Sequence, residues 1–324
     1  MTPSMLNVHP VVRSVTVRVP AKVNLQLSVG PLRPDGYHEL ASVFHAVNVF
    51  DEVTAADGVP GSGITLNMEG QGSEYLSDSA ENLVWRAATA LAEYADVALD
   101  VELQVKKAIP LAGGMAGGSA DAAATLIACD ALWRIGLGRE ELDVLAARLG
   151  ADVTFALHGG TAIGTGRGER LTPALISGQY HWVFATSKEG LSTAAVYAEC
   201  DRLRDGRDVA VPTVSEGLMS ALRRGDAEGV GRSMTNDLQS ASISLRPSLE
   251  LVLETGLAFG ALGGIVSGSG PTCAFLARDE EQALDIATGL SGSGTCDSVL
   301  HATGPAHGAR VVDSGTSGSI LDRG

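Results

Sequence analysis

The sequence predicts an α+β protein of two lobes. Three observations lead there: strand-like segments come first, helical segments are interspersed from residue 82 onward, and the composition changes near residue 170. A length of 324 residues suits one large or two ordinary domains, and 45% apolar content supplies a sizeable core. Aromatics make up only 4%, and Ala, Val and Leu carry the bulk of the apolar share, which favours α/β packing.

Residues 1–12 read as a loose extension with two prolines. Ser14 to Val19 alternates polar and apolar residues, which predicts a half-buried strand closed by Pro20; Val23 to Val29 resumes the alternation. Pro31 to His38 carries two prolines and an Asp-Gly turn. Val43 to Val49 and Ile64 to Met68 read as further strands, and Asn82 to Ala95 as a helix with Leu83, Ala87 and Leu91 on one row. Val101 to Val105 is a short alternating strand leading through Lys106 and Lys107 into a glycine-rich loop. A helix then runs from Ala120 to about Ile135, burying Leu126, Cys129 and Trp133, and another from about Glu140 to Leu149 is capped by Gly150. Beyond residue 170, Trp182 to Ala185 and Thr272 to Ala277 read as strands, and Ser192 to Arg204 and Ser248 to Phe259 as helices. A polar linker spans 205–213 and a second glycine-rich turn spans 263–270. From Asp313 the tail is rich in Ser and Gly and reads as disordered.

The net charge of −15 gives no general attraction for nucleic acid or anionic lipid. A phosphate ligand must then be held by local backbone donors. Cys129, Cys200, Cys273 and Cys296 lie far apart with no CxxC pair, so reduced thiols are expected and no metal cluster. The first residues lack a basic and an apolar signal region, and no apolar run approaches the roughly 18 residues of a membrane span. The expectation is a cytoplasmic protein with neither membrane nor nucleic-acid partner. Nothing in the residues speaks to the oligomeric state.

The loop at 110–120, Pro-Leu-Ala-Gly-Gly-Met-Ala-Gly-Gly-Ser-Ala, carries the chemistry. Four glycines permit backbone shapes closed to other residues and close approach to an anion. The helix behind them aims free N–H groups and its positive dipole end into the same space. Gly118 is followed by Ser119-Ala120 rather than Lys-Ser or Lys-Thr, which excludes a Walker A loop. The spacing also fails the dinucleotide fingerprint, and Gly164-Thr-Gly-Arg-Gly lacks the strand-then-helix context. A loop that merely tolerates tight packing is the plain alternative. Lys22 and Asn24, in Pro20-Ala-Lys-Val-Asn-Leu, stand two apart in a strand and project from one face; alone they would read as a polar edge.

These three segments, taken in order, resemble the GHMP kinases, the family of galactokinase, homoserine kinase and mevalonate kinase. The matching residues are Pro20 to Leu25, Pro110 to Ala120 and Gly263 to Thr272, joined by Asp35-Gly-Tyr-His38 and Gly150-Ala-Asp-Val153. The resemblance spans roughly residues 14–312. It implies a two-lobed GHMP kinase fold: a ribosomal-protein-S5-like N-terminal lobe at 13–172, a C-terminal α/β lobe at 173–312, and an active site in the cleft between them. It implies ATP and Mg2+ as cofactors, with Pro110, Leu111, Ala112, Gly113, Gly114, Met115, Ala116, Gly117, Gly118, Ser119 and Ala120 over the ATP phosphates. Asp152 is the implied base and Lys22 the charge stabiliser; the plain alternative for Asp152 is a helix N-cap. Asp35-Gly-Tyr-His38 is most similar to members that phosphorylate the 2-hydroxyl of a cytidine diphosphate-linked methylerythritol, on the non-mevalonate route to isoprenoid precursors. Asn24, Tyr37, His38 and Tyr197 are then implied substrate residues. Met115, Ala116, Ala120 and Thr154 depart from the family pattern, which touches only the phosphate and metal contacts. A homoserine- or mevalonate-type kinase, and a non-catalytic nucleotide-binding protein of this fold, stay open as alternatives.

Overall fold

Two long antiparallel strands, β1 (Val12–Leu32) and β2 (His38–Asp57), carry the first lobe in the computed structural model, which describes residues 12–111 and 113–317. One end of β2 pairs with β4 (Val101–Lys107), which pairs in parallel with β3 (Ile64–Gly70). The other end of β2 pairs with β5 (Thr161–Gly166), which turns back into β6 (Arg170–Pro173). Four helices complete this lobe: α1 (Leu83–Ala95), α2 (Gly117–Trp133), α3 (Arg139–Leu149) and α4 (Ala151–His158). α2 packs on β1 and β2 and against α1 and α4. Its alanine-rich sequence lets it lie close to the sheet with eleven of its seventeen residues buried.

The second lobe holds β7 (Tyr180–Thr186), α5 (Thr193–Arg204), α6 (Glu216–Arg224), α7 (Ala227–Ser233), β8 (Thr235–Asn236), α8 (Gln239–Leu245), α9 (Ser248–Ala258), β9 (Gly263–Val266), β10 (Cys273–Ala277), α10 (Glu280–Ser293) and β11 (Ser298–Gly304). Its antiparallel sheet runs β11-β7-β10-β9 around a core that includes Val183, Leu253, Phe275 and Ile286. Two segments return to the first sheet: β8 pairs in parallel with β1, and β12 (Arg310–Ser317) pairs antiparallel with it.

Several expectations are corrected. Pro20 does not close a strand; β1 runs through it, and the register shift between Pro20 and Ala21 absorbs the missing N–H. The alternation of residues 14–19 vanishes over Val19–Leu27, which is buried on both faces. α2 starts at Gly117, three residues ahead of Ala120. α4 was not foreseen, and its N-cap is Gly150, so Asp152 sits in the first turn rather than at the cap. Asp313–Ser317, expected as disordered tail, is strand β12 paired with Val12–Thr16. Residue 12 already belongs to β1; residues 1–11 and 318–324 lie outside the described residues. Gly164–Gly168 forms the β5–β6 hairpin, which removes the dinucleotide reading.

Among the described residues no helix is long and apolar enough to cross a membrane. Cys129, Cys200 and Cys273 are free and buried, and Cys296 is half-buried and free.

Candidate active site

The glycine loop is held from behind by the second glycine turn. Gly114 has φ +76°, and a Cβ there would fall 1.8 Å from the Ser267 carbonyl oxygen. Only glycine satisfies both the backbone shape and that approach. Ser267 Oγ donates to the Gly114 carbonyl at 3.1 Å, and a Cβ on Gly113 would meet Thr272 Oγ1 at 2.6 Å. Ala116 caps α2 in the left-handed region at φ +61°, with no side-chain cap on the helix. Ala120 N–H is the first to find an intrahelical partner, the Ala116 carbonyl. The amides of Gly117, Gly118 and Ser119 therefore stand without intrahelical partners at the wall of a cavity of about 460 Å³, an arrangement suited to an anion.

Lys22 and Asp152 face that helix start across the cavity. Lys22 is 6% exposed and its Nζ donates to Asn24 Oδ1 at 2.7 Å. Asn24 Nδ2 in turn donates to Ser42 Oγ, which donates to the Gln26 carbonyl. Asn24 thus spends both ends of its amide within the protein and aims Lys22. Asp152 Oδ2 lies 3.8 Å from Lys22 Nζ and is a third exposed. An ammonium and a partly solvated carboxylate before free helix N–H groups can bind an anion and accept a proton beside it.

An adjoining cavity of about 580 Å³ shares Leu40, Arg167, Thr193 and Tyr197 with the first. His38 is buried in its wall, with Nδ1 donating to the Gly30 carbonyl at 2.9 Å. The Tyr197 ring stacks on His38 at 5.3 Å, and the exposed Tyr37 ring carries the Arg167 guanidinium 4.8 Å over its face. Burial pushes the Tyr197 hydroxyl well above the usual tyrosine range.

The family described as GHMP kinases N terminal domain matches residues 82–160, and that described as GHMP kinases C terminal matches residues 218–296. The chain is 55% identical over 307 residues to 4-diphosphocytidyl-2-C-methyl-D-erythritol kinase of Thermobifida fusca, covering 92% of this chain and 98% of the relative. The chain belongs to the GHMP kinases. It is also 50% identical to the kinase of that name from Rhodococcus jostii, over 97% of this chain and 100% of the relative. A solved 4-(cytidine 5'-diphospho)-2C-methyl-D-erythritol kinase superposes with a TM-score of 0.70 at 32% identity, covering 89% of this chain and 98% of that one.

Within this GHMP kinase, most residues singled out in the sequence meet at the two cavities. Pro110, Gly113, Gly114, Ala116, Gly117, Gly118, Ser119, Lys22, Asn24, Asp152 and Tyr197 line the first, and Tyr37, His38 and Tyr197 the second. Three loop residues do not face the ligand space. Met115 and Ala120 are buried in the core, and Leu111 leans on Gly72. Met115 contributes its carbonyl, which accepts from Lys22 N–H at 3.3 Å. Ala112 lies outside the described residues. Asn24, implied as a substrate ligand, is already engaged by Lys22 and Ser42.

The sequence reading missed a buried cluster under the loop. Lys107 Nζ is fully enclosed and donates to both Asp51 and Asp121. Asp51 Oδ1 also accepts from the N–H groups of Ala108 and Ile109, which fixes the chain entering the loop. Burial pushes the Asp121 carboxyl upward, against the pull of Lys107. One signal was available: Lys107 falls in step with Val101, Leu103 and Val105 on the buried face of β4.

Proposed function

We propose that this kinase transfers the γ-phosphoryl group of ATP to the 2-hydroxyl of 4-diphosphocytidyl-2-C-methyl-D-erythritol, in the cytoplasm, on the non-mevalonate route to isoprenoid precursors. The observation that carries the reading is the shared wall of the two cavities. The phosphate cradle and the Lys22–Asp152 pair lie at one end, and the His38–Tyr197 pocket lies at the other. A homoserine- or mevalonate-type acceptor would leave that aromatic pocket without a purpose. The relatives of this name match nearly end to end, which supports the same substrate.

The residues present fit a triphosphate. Gly113, Gly114, Gly117 and Gly118 line the cavity, and three amides without intrahelical partners stand at its wall. Ser119 and the nucleotide's own phosphate oxygens are suitable hard ligands for Mg2+, which when bound neutralises phosphate charge. Asp152 orients the 2-hydroxyl and takes its proton as attack proceeds. Lys22, held by Asn24, stabilises the negative charge that develops between hydroxyl and γ-phosphoryl group. The buried strand around Lys22 keeps its ammonium in one place, so little reorganisation is needed at the moment of transfer. Tyr37 and Tyr197 sandwich or flank the nucleobase, and His38 bonds its edge.

Incubation with Mg-ATP and the cytidine substrate, read by 31P NMR, tests this reading. A new monoester resonance on the 2-carbon supports it; ATP consumed only with homoserine or mevalonate replaces it.

A further inference from the structure

The second glycine turn flanks Lys22 where it leaves β9. A Cβ on Gly268, whose φ is +55°, would stand 3.5 Å from Lys22 Nζ, 3.6 Å from Asn24 Oδ1 and 3.2 Å from the Gly114 carbonyl oxygen. Gly268 and Ser269 also line the 460 Å³ cavity. The place of this turn therefore sets how closely the ammonium is confined on that side. Within the turn, Gly270 N–H donates to the Ser267 carbonyl and Ser267 N–H to the Thr272 carbonyl, each at 2.8 Å. These bonds shape the turn but do not tie it to the strand that carries Lys22.

One side chain makes that tie. Asn236 Nδ2 donates to the Val266 carbonyl at 2.8 Å and to the Gly268 carbonyl at 2.7 Å, and its Oδ1 accepts from Leu238 N–H at 2.9 Å. Both amide hydrogens and the oxygen are thereby used, and the Leu238 N–H settles which end of the amide is which. Gln239 Oε1 accepts the Val266 N–H at 3.0 Å, so both backbone groups of Val266 are held by this one segment. The segment is itself fastened to β1: β8 pairs Asn236 with Leu27, and Asp237 N–H donates to the Leu27 carbonyl at 2.9 Å. A closed circuit results, from Lys22 along β1 to Leu27, across to Asn236, on to Gly268 and back to Lys22.

We infer that Asn236 is a positioning residue for phosphoryl transfer, registering the second glycine turn against Lys22 while touching neither ligand space; the inference rests on the charge-stabilising role of Lys22 given above. Asn236 lines neither of the two cavities. A preplaced charge is sensitive to small displacements, and a shift of about 1 Å at a reacting centre can cost about 10² in rate. Binding spread over two cavities is far less sensitive. Asn236→Ala leaves the Val266 and Gly268 carbonyls without their donor, and frees the turn to move against Lys22.

The test is steady-state kinetics of Asn236→Ala with Mg-ATP and the cytidine substrate, beside calorimetric ADP titration to count competent sites. The expected result is a fall in kcat per competent site of about tenfold or more, with both KM values and the ADP Kd within about threefold of wild type. Asn236→Gln keeps the amide but shifts it by one methylene, and should lose kcat to a smaller degree in a fully folded chain. Normal kcat per site in both variants overturns the inference. Asp237→Ala is the control: it removes the acceptor of Val29 N–H and Arg204, loosening the same connection while the turn's carbonyls stay held. It should lower the urea midpoint and keep kcat; a loss of kcat equal to that of Asn236→Ala makes the effect structural and overturns the inference. Asn236→Ala added to Lys22→Met should cost less than about twofold further, because the two residues act as one unit. A full second loss overturns the route through Lys22 and leaves its charge role standing. Near-normal turnover by Lys22→Met alone removes that charge role, and the route with it.

Discussion

Ser267 and Gly114, 153 positions apart in the chain, hold the two glycine turns together: the Ser267 hydroxyl donates to the Gly114 carbonyl at 3.1 Å. The glycine loop is therefore shaped by the second lobe as well as by its own glycines. Gly114→Ala brings a methyl to within 1.8 Å of the Ser267 carbonyl oxygen and strains φ +76°. The expected result is a loss of about 3 kcal/mol or more in urea unfolding, with weakened ATP binding. Unaltered stability would show that the two turns are not packed as described.

Ala116→Gly should act in the other direction. Ala116 holds φ +61° at the start of α2, a conformation that costs an alanine roughly 1 kcal/mol and a glycine almost nothing. The variant should melt about 2 °C higher, measured by calorimetry. A lower Tm would mean that the methyl contributes packing that outweighs the strain.

What the sequence disclosed follows the range of each interaction. The glycine loop was legible because its glycines and its helix start are contiguous, and Lys22 and Asn24 because two residues apart on a strand share a face. Asp51, Lys107 and Asp121 come from β2, β4 and α2, and no local pattern joins them. Met115 and Ala120 fall inside the segment matched to the family motif, yet a loop turning into a helix sends their side chains into the core. The strand at Asp313–Ser317 hid behind a composition rich in Ser and Gly, because its order comes from pairing with β1 rather than from its own propensity.

Lys107→Met should leave Asp51 and Asp121 enclosed without their cation. Breaking a buried ion cluster in this way costs about 3–5 kcal/mol. Adding Asp121→Asn removes one of the two stranded carboxylates and should restore part of that loss, read by the urea midpoint. Additive losses in the double variant would contradict coupling between the two groups.

Acid should weaken the fold through His45. This ring is fully buried between β5 and β7, bonded by Nδ1 to Thr161 Oγ1, and burial lowers its pKa from 6.5 to about 3. The native state refuses a proton that the unfolded chain accepts below pH 6.5, so stability falls as pH drops from 6.5 toward 3. The slope from this one group approaches about 1.4 kcal/mol per pH unit. Urea unfolding at about pH 7 and about pH 5.5 should therefore show a smaller drop for His45→Gln than for the wild type. Identical pH slopes would rule out a neutral buried His45 as the cause.

The proposed transfer chemistry rests on Asp152 standing 3.8 Å from Lys22 before the α2 amides. Steady-state kinetics of Asp152→Asn with Mg-ATP and 4-diphosphocytidyl-2-C-methyl-D-erythritol, beside direct ATP titration, tests it most directly. A fall in kcat of about 10² or more with ATP affinity held is the predicted result. Near-normal turnover by Asp152→Asn would contradict it and move the base elsewhere in the cleft.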